Sequence, residues 1–484
     1  MFVGASRLTL LGLLTLLLSL LAGPFAAASP AEPPAGPAAP AQLARVYLPV
    51  IVTHAGATPP SPAPGPSPRG GLFLNTASWN YNATIAVDRA GGLHAAYFAT
   101  GETPDGVRPA YYAYCPAQPA GACLQRAGWR QVALAEGADD VQIALTPAGQ
   151  PRVLISPEPD GRGAPIRYAA CDSQCADPAR WAVATVATTA VIGVGNSYAT
   201  AQSFALDHLG RPRFIYTDDR AGMDHAGTFF AACDANCTQP EAWGEGQIDQ
   251  DRIDGPVLRF DASGRPHLLG RVSGDNGGAL FYATYGDEAG WAALSLGPAG
   301  SGERSWTLQL DGQGRPRVAY YQGRLDAGGG ERVLFLACDG RCTEEAGWQV
   351  RNLGLPAGEG RFLAMALDEQ GRPRLAYSAT EGLGFASCDG ACATPAGRWQ
   401  TTLLESEDEV VRGVAPLPNC TSPQWQGAYA PALSLDPQGN PRVTYDGELI
   451  QVCRVNPADP TDMRTRLEKV FHAVRLVVAP QDQP

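Results

Sequence analysis

The sequence predicts an all-β protein, a seven-bladed β-propeller with four antiparallel strands in each blade. Two observations predict it. One phrase, Asp-x-x-Gly-x-Pro followed by a basic residue, recurs seven times in the 484 residues, with Leu93 in place of Pro in the first copy and Thr146 in place of Asp in the second. Four strand-like runs accompany each copy. Long repeats of four short strands are typical of propellers. A β-sandwich needs no repeat, and a β-helix repeats at a much shorter period.

The recurring phrase predicts a tight turn between two strands. Its copies are 50 to 68 residues apart and begin at Asp88, Thr146, Asp207, Asp261, Asp311, Asp368 and Asp436. Asp closes a local hydrogen bond, Gly permits positive φ, and Pro is tolerated where a strand begins. The basic residue after Pro is Arg in five copies and His94 or His267 in the other two. We expect this column of basic residues to make backbone or inter-blade contacts.

The strands of each repeat are predicted from β-branched and aromatic runs between Gly, Pro and Asp. In the fifth repeat these runs are 306–310, 317–321, 332–337 and 348–353. The C-terminal run 470–478 is expected to be the closing outer strand of the last blade, beside residues 72–75. The propeller is therefore predicted over residues 72–484.

Residues 1–28 are predicted to be a secretory signal peptide. Arg7 precedes an apolar run of about 15 residues, 8–22, and alanines at 26–28 follow shortly after it. A membrane span needs about 20 residues, so we expect no transmembrane segment once the signal is cleaved; a retained signal would act as an anchor. Residues 29–71 are rich in Pro, Ala and Gly and are predicted to be a linker. Within it, residues 45–52 form a short apolar island, either an accessory strand or a docking segment.

Twelve cysteines in an exported chain predict disulfide bonds. Five pairs lie at the same place in their repeats, after the third strand and before a Trp. The fourth repeat lacks both cysteines of the pair. Loss of the two together is expected if the two cysteines of each loop are bonded to each other. The predicted bonds are Cys115–Cys123, Cys171–Cys175, Cys233–Cys237, Cys338–Cys342, Cys388–Cys392 and Cys420–Cys453. The Trp residues that follow are expected to pack between blades, and exposed sugar-stacking platforms are the alternative.

Charge and composition exclude several classes of partner. Charged residues make up only 17% of the chain, and the net charge is −12. Binding to a nucleic-acid backbone needs surplus positive charge, so no nucleic-acid partner is expected. We expect a monomer, secreted or associated with the cell surface.

The seven repeats resemble the secreted bacterial propellers grouped near the sialidase-like superfamily. The resemblance covers residues 72–478 and concerns architecture. The sialidase Asp-box reads Ser-x-Asp-x-Gly-x-x-Trp between the third and fourth strands. The nearest match here, residues 434–439, has one extra residue before Gly and lies between the first and second strands. The resemblance therefore implies a propeller and assigns no catalytic residue.

The loops opposite the Asp-Gly turns are variable and acidic, which makes them candidate ligand loops. Acidic residues there include Glu331 and several aspartates, and arginines lie near the starts of the inner strands. The candidate ligand-binding residues are Asp139, Asp140, Asp218, Asp219, Asp224, Asp251, Asp254, Arg252, Arg304 and Arg361. Crowded carboxylates would favour a bound cation, with Ca²⁺ the candidate, although no calcium-loop spacing is present. The arginines would instead pair with these acids or hold an anionic sugar.

Two classes of function fit this sequence. The expected function is an extracellular binding or scaffold module for a glycan, a protein or a cation. The alternative is a polysaccharide-active enzyme, a hydrolase or a lyase, with its site in the central funnel. Glycoside hydrolysis commonly needs a close pair of carboxylates, and no such pair is recognisable in the sequence. The binding module is therefore the favoured hypothesis.

Overall fold

The predicted architecture is confirmed: the chain forms seven sheets, each of four antiparallel strands. The computed structural model describes residues 70–74, 80–99, 108–118, 121–157, 163–189, 202–219, 226–249, 252–272, 278–286, 290–299, 305–323, 330–458 and 463–479. The predicted signal peptide at 1–28, the linker up to residue 69 and the apolar island at 45–52 lie outside these ranges. In the described part of the chain, no helix has the length and apolar character needed to cross a membrane.

Blades 1 to 6 each use four consecutive strands, ordered from the first strand to the fourth. Blades 1 to 3 consist of β2 (Asn80–Val87), β3 (Leu93–Ala99), β4 (Ala110–Cys115), β5 (Arg130–Ala135); β6 (Ala138–Leu145), β7 (Pro151–Pro157), β8 (Ala164–Ala170), β9 (Ala182–Thr189); and β10 (Phe204–Leu206), β11 (Pro212–Asp219), β12 (Ala226–Cys233), β13 (Trp243–Asp249). Blades 4 to 6 consist of β14 (Ile253–Phe260), β15 (Pro266–Val272), β16 (Ala279–Gly286), β17 (Gly290–Pro298); β18 (Trp306–Leu310), β19 (Pro316–Gln322), β20 (Arg332–Cys338), β21 (Trp348–Asn352); and β22 (Leu363–Leu367), β23 (Pro373–Ala379), β24 (Gly382–Cys388), β25 (Trp399–Ser406).

Blade 7 combines both ends of the propeller. It consists of β26 (Gln424–Leu435), β27 (Pro441–Arg454), β28 (Thr465–Val478) and β1 (Gly70–Phe73), which pairs with β28 through Gly70–Val478 and Leu72–Leu476. The outermost strand is thus β1, whereas residues 470–478 had been predicted to be outermost. The reason is that β28 has partners on both edges, β27 and β1. A five-residue helix, α1 (Glu407–Val411), follows blade 6 and begins with a capping box at Ser406.

The core lies between the blades. Seven apolar clusters are each built from two adjacent blades, including one that joins blade 7 to blade 1. The second strands are buried along nearly their whole length, as in β19, whereas fourth strands such as β21 are largely exposed. Because both faces of a blade pack against neighbours, the second strands read as apolar runs without alternation. The seven interfaces close the ring.

The repeated phrase forms the turn between the first and second strands of every blade. In blade 6, Asp368 Oδ1 accepts hydrogen bonds from the backbone N–H groups of Gln370 and Arg372, and its Oδ2 accepts one from Arg374 Nη2 at 3.0 Å. Arg374 is fully buried and also donates to the carbonyls of Pro373 and Cys388. In blades 3, 5, 6 and 7 the arginine therefore ties the turn aspartate to a backbone carbonyl at the end of the third strand of its own blade. In blades 1 and 4 the histidine contacts a tyrosine hydroxyl of the third strand instead.

All six predicted disulfide bonds are present. In each of the five repeated loops, the Trp indole N–H donates to the carbonyl of the second cysteine, for example Trp348 to Cys342 at 2.8 Å. The Trp rings pack on the preceding blade, with Trp348 edge-on to Tyr282 at 5.2 Å between centroids. The Cys loop and its Trp thus form one inter-blade unit.

Candidate functional site

A central channel runs between the first strands of all seven blades. Within it lies a cavity of about 320 Å³ lined by residues of β2, β6, β10, β14, β18, β22 and β26. We call the side that carries the Asp-Gly turns and Cys loops the turn face. The opposite side, which carries the loops between second and third strands, is the loop face. Because the first strands begin at the loop face, residues just before them surround the mouth of the channel.

Several predicted acidic residues lie on the loop face, where arginines neutralise two of them. Asp139 forms an ion pair with Arg108 at 2.5 Å. Asp254 lies between two cations, with Arg252 Nε 3.0 Å from one carboxylate oxygen and Arg271 Nη2 3.0 Å from the other. These arginines neutralise the negative charge of Asp139 and Asp254, for which a bound cation had been expected.

Two other predicted aspartates are buried in the fold. Asp140 accepts a hydrogen bond from the backbone N–H of Val141 at 3.0 Å, and Asp218 is only 1% exposed within β11. The side chain of Asp219 and the residues Asp224, Asp251 and Arg304 lie outside the described ranges. Among the residues that the structure describes, no group of three or more His, Cys, Asp or Glu side chains could hold a metal ion. The loop-face aspartates that the structure describes therefore do not gather around one point.

The remaining predicted residue, Arg361, belongs to a cluster that the sequence did not reveal. It lies immediately before blade 6, and its side chain is exposed. Its guanidinium and the Glu331 carboxylate both interact with the phenol of Tyr321. Burial and the hydrogen bond with Glu331 raise the pKa of Tyr321, and the positive charge of Arg361 partly offsets this. We call these three residues the tyrosine cluster.

Backbone links from two blades position the tyrosine cluster. Ser305, just before β18, accepts a hydrogen bond from the Tyr321 N–H at 2.7 Å through its carbonyl. Its hydroxyl donates to the Arg361 carbonyl, also at 2.7 Å. Ser305 is buried, so it holds the end of β19 against the segment entering blade 6. The cluster is therefore anchored to rigid strands beside the channel mouth.

An aromatic pair adjoins the tyrosine cluster. Phe362 follows Arg361 directly and packs edge-on to Tyr429 of blade 7, with 5.7 Å between ring centroids. Tyr429 is 36% exposed, while Phe362 is partly buried beneath it. Exposed aromatic rings beside charged groups are common in sites that bind sugars, because the ring supplies an apolar face with a polar edge. The mouth between blades 5, 6 and 7 thus combines an aromatic surface, a cation, a carboxylate and a phenol.

Sequence reasoning found Arg361 and placed Glu331 in an acidic loop, but it missed Tyr321 and Tyr429. Tyr321 is the second tyrosine of a doublet inside a predicted strand, and it does belong to the core between blades 5 and 6, so its sequence carries no functional signal. Tyr429 precedes the regular part of its strand, in a segment with two register shifts and positive φ at Ala428 and Ala430. This irregular backbone places Tyr429 beside Phe362. No sequence repeat predicts it.

Comparisons with known proteins complete the description. No family model and no curated protein matches the chain. Among solved structures, an ulvan lyase, representing a new family of polysaccharide lyases, aligns over 84% of this chain and 96% of its own at 10% identity and a TM-score of 0.47. A fungal alcohol oxidase in complex with copper aligns over 86% of this chain and 77% of its own, at 11% identity and a TM-score of 0.41. A β-fructofuranosidase from Bombyx mori aligns over 85% of this chain and 91% of its own, at 8% identity and a TM-score of 0.31. No activity is transferred from these proteins, and the architecture rests on the seven sheets themselves.

Proposed function

We propose that this protein is an exported polysaccharide-active enzyme that cleaves an acidic glycan at the loop-face mouth of the channel. The observation that carries this proposal is the placement of the tyrosine cluster, in which Ser305 links the backbones of Tyr321 and Arg361 beside the Phe362–Tyr429 pair. The effects of Glu331 and Arg361 on the pKa of Tyr321 support it. This chemistry favours the enzyme over the binding module that the sequence alone favoured. The six disulfide bonds support an oxidising compartment, in keeping with export.

The cluster contains the groups that β-elimination from a uronic acid requires. The carboxylate of Glu331 would accept the proton from the carbon beside the sugar carboxylate, and Arg361 would neutralise that sugar carboxylate. The released electron pair forms a carbon–carbon double bond as the glycosidic carbon–oxygen bond breaks. The Tyr321 phenol, kept protonated at neutral pH by its raised pKa, would give its proton to the leaving oxygen.

The same arrangement explains how Glu331 and Tyr321 would return to their starting protonation states. After elimination, Glu331 holds a proton and Tyr321 lacks one. Because the Glu331 carboxylate is near enough to the phenol to raise its pKa, we expect the proton to return to Tyr321 without external acid or base. Most glycoside hydrolases use two carboxylates on opposite sides of the bond, which this cluster does not supply. Hydrolases with a tyrosine nucleophile are the exception, and the ultraviolet assay below separates them from an eliminating enzyme.

A panel of acidic and neutral polysaccharides tests the proposal. We expect ultraviolet absorbance from unsaturated sugar ends with an acidic substrate. Tyr321→Phe should lower kcat by roughly 100-fold or more, the usual scale for losing a general acid. Arg361→Gln should mainly raise KM, and Arg398→Gln, on the exposed Cys loop of blade 6, is the matched control.

Three other results would contradict the proposal in distinct ways. Binding of a glycan without new chain ends would return the protein to the class of binding modules. Reducing ends without ultraviolet absorbance would indicate hydrolysis. Full activity in Tyr321→Phe would move the chemistry away from the tyrosine cluster.

A further inference from the structure

The channel contains a partly buried arginine, Arg259, whose contacts differ from those of the buried arginines that the structure describes. The first strand of each blade is the inner strand, and it ends just before the Asp-Gly turn. The residue two positions before the first residue of that turn occurs once in each blade, and the seven such residues form a column around the channel. Its members are Ala86, Ala144, Ala205, Arg259, Gln309, Ala366 and Ser434. Arg259 is the one charged side chain in this column, and small residues in most of the other blades leave space around it.

The other buried arginines all contact carboxylates. Arg213 pairs with Asp207, Arg317 with Asp311, Arg374 with Asp368, Arg442 with Asp436 and Arg475 with Glu405. This is the expected arrangement, because a buried charge without a partner is costly. Nearly every guanidinium that leaves bulk water in this fold is therefore neutralised by the chain itself.

Arg259 has only neutral partners. Its Nη1 donates to the Leu258 carbonyl at 2.7 Å and to the Gln202 carbonyl at 3.3 Å. Its Nε and Nη2 reach the side-chain oxygens of Gln309 and Gln202 at 3.4 and 3.5 Å, which are long for charged donors. No Asp or Glu is among the described residues that line this cavity. Part of the positive charge therefore faces the cavity without an anionic partner.

The surroundings of Arg259 strengthen that charge. Part of its surface is accessible from the cavity, yet the strands around it remove the guanidinium from bulk water. Burial lowers the pKa of Arg259 to about 10, and no neighbouring carboxylate opposes the shift. The residue still carries its charge at neutral pH. The side chains of Gln202, Thr307 and Gln309 add polar groups at the same end of the cavity.

We propose that the channel is a binding site for a small oxyanion, held by the Arg259 guanidinium together with the side-chain amides of Gln202 and Gln309. Each amide gives one hydrogen to a backbone carbonyl, that of Trp306 or of Met365, and has a second hydrogen for the anion. The Thr307 hydroxyl donates to Gln202 Oε1 and orients that amide. The ligand class is a sulfate, a phosphate or a comparable tetrahedral anion, for which the cavity of about 320 Å³ has room. Such an anion would bridge blades 3, 4 and 5, because the three side chains that bind it come from those blades. The site is separate from the tyrosine cluster and does not depend on the enzymatic proposal.

Equilibrium dialysis of the full chain with radiolabelled sulfate tests this site directly. We expect one saturable equivalent per chain, lost in Arg259→Met and retained in Arg398→Gln, whose arginine is exposed on the Cys loop of blade 6. Arg259→Lys should bind sulfate more weakly than the natural protein and more strongly than Arg259→Met, since it keeps the charge but not the fork of donors. Equal uptake by the natural protein and Arg259→Met would overturn the proposal.

Thermal unfolding supplies an independent readout. Sulfate stabilises most proteins through exclusion from their surface, and that effect grows without saturating. A bound anion adds a saturable rise in Tm of a few degrees, which should be present in the natural protein and missing in Arg259→Met. If Arg259→Met does not fold, selenate-soaked crystals of the natural protein decide the matter. An anomalous peak beside Arg259 supports the site, and a channel free of selenate at saturation refutes it.

Discussion

The recurrent arginine of the turn face acts as a small structural hub. In blades 3, 5 and 6, its two terminal nitrogens contact two backbone carbonyls, the turn aspartate and the aspartate that follows the first cysteine. Blade 2 differs because Thr146 replaces the turn aspartate. Arg152 there keeps the carbonyl contacts, but its carboxylate partner, Asp172, is largely exposed. Comparing blade 2 with the other blades therefore measures how much the buried turn aspartate contributes to the free energy of unfolding.

Replacing the arginine hub in blade 6 should lower the free energy of unfolding far more than replacing the one in blade 2. Arg374→Met leaves the buried Asp368 carboxylate without its Arg374 partner, and losing one member of a buried pair typically costs about 3 kcal/mol or more. Arg152→Met loses mainly an exposed pair, for which about 1 kcal/mol or less is typical. Denaturant unfolding of both variants measures the difference. Equal losses would mean that the carbonyl contacts alone stabilise the hub.

Histidines that occupy the hub position in blades 1 and 4 should make stability depend on pH. Burial lowers the pKa of His94 and His267 below 6.5, and the neighbouring Asp88 and Asp261 only partly oppose this. Between the folded and unfolded pKa values, the unfolded chain binds more protons. The free energy of unfolding should therefore fall as the pH drops below about 6.5, and this contribution should level off below the folded pKa values.

Unfolding measured from pH 7.5 down to 4.5 in steps checks this prediction. The double variant His94→Gln and His267→Gln should show a shallower slope in that window than the natural protein. An unchanged slope would assign the pH dependence to other groups.

A separate decrease in the free energy of unfolding at lower pH is expected from Asp207 and Asp311. Burial raises their pKa values, but hydrogen bonds within the turns and the nearby arginines outweigh it and leave those values below 3.8.

At the scale of elements, repetition determined what the sequence could reveal. The turns, the Cys loops and the disulfide pairing recur from blade to blade, so each copy confirmed the others. The tyrosine cluster does not recur, since Tyr321 and Glu331 come from blade 5 and Arg361 from the entry to blade 6. Its members meet only after two blades pack together. Arg259 was not among the sequence candidates. The column to which it belongs is recognised only when the structure shows which residues of the first strands face the channel.

The disulfide bonds should contribute unequally to stability. Cys420–Cys453 closes a separation of 33 residues, whereas Cys171–Cys175 closes one of only four. The loop-entropy relation gives about 4 kcal/mol for the long loop and about 2 kcal/mol for the short one. Replacing each pair by serines and measuring unfolding free energies should reproduce that order. A larger loss for the short loop would show that the Cys loop acts mainly by positioning its Trp and Arg partners.

At the scale of the whole molecule, closure of the ring depends on a four-residue strand. The sequence placed the closing strand incorrectly because β1 reads Gly-Gly-Leu-Phe and carries little strand signal. Tertiary contacts compensate for that weakness. Phe73 packs on Trp425 and on the guanidinium of Arg475, which is itself paired with the buried Glu405. Tyr445 donates a further hydrogen bond to Glu405 at 2.6 Å.

Two truncations test the closing strand. A chain that begins at residue 70 keeps β1 and should have the same Tm as a chain that begins at residue 29. A chain that begins at residue 75 lacks β1 and exposes the edge of β28, so we expect a Tm lower by several degrees and a tendency to associate through that edge. Scanning calorimetry and light scattering measure the two effects. Identical behaviour of both chains would show that blade 7 is complete with three strands.

The pairing of Gly70 with Val478 also determines the order of events when the protein is made. The strand that leaves the ribosome first cannot find its partner until the last strand has followed it, so blade 7 is necessarily the final blade to be completed. Blades 1 to 6 use consecutive strands and can each assemble as they emerge. Because the two ends of the propeller finish side by side, a short peptide joining residue 479 to residue 70 would make a circular chain with the same seven blades. New ends could then be opened in another blade's loop, and a different blade would become the last to close.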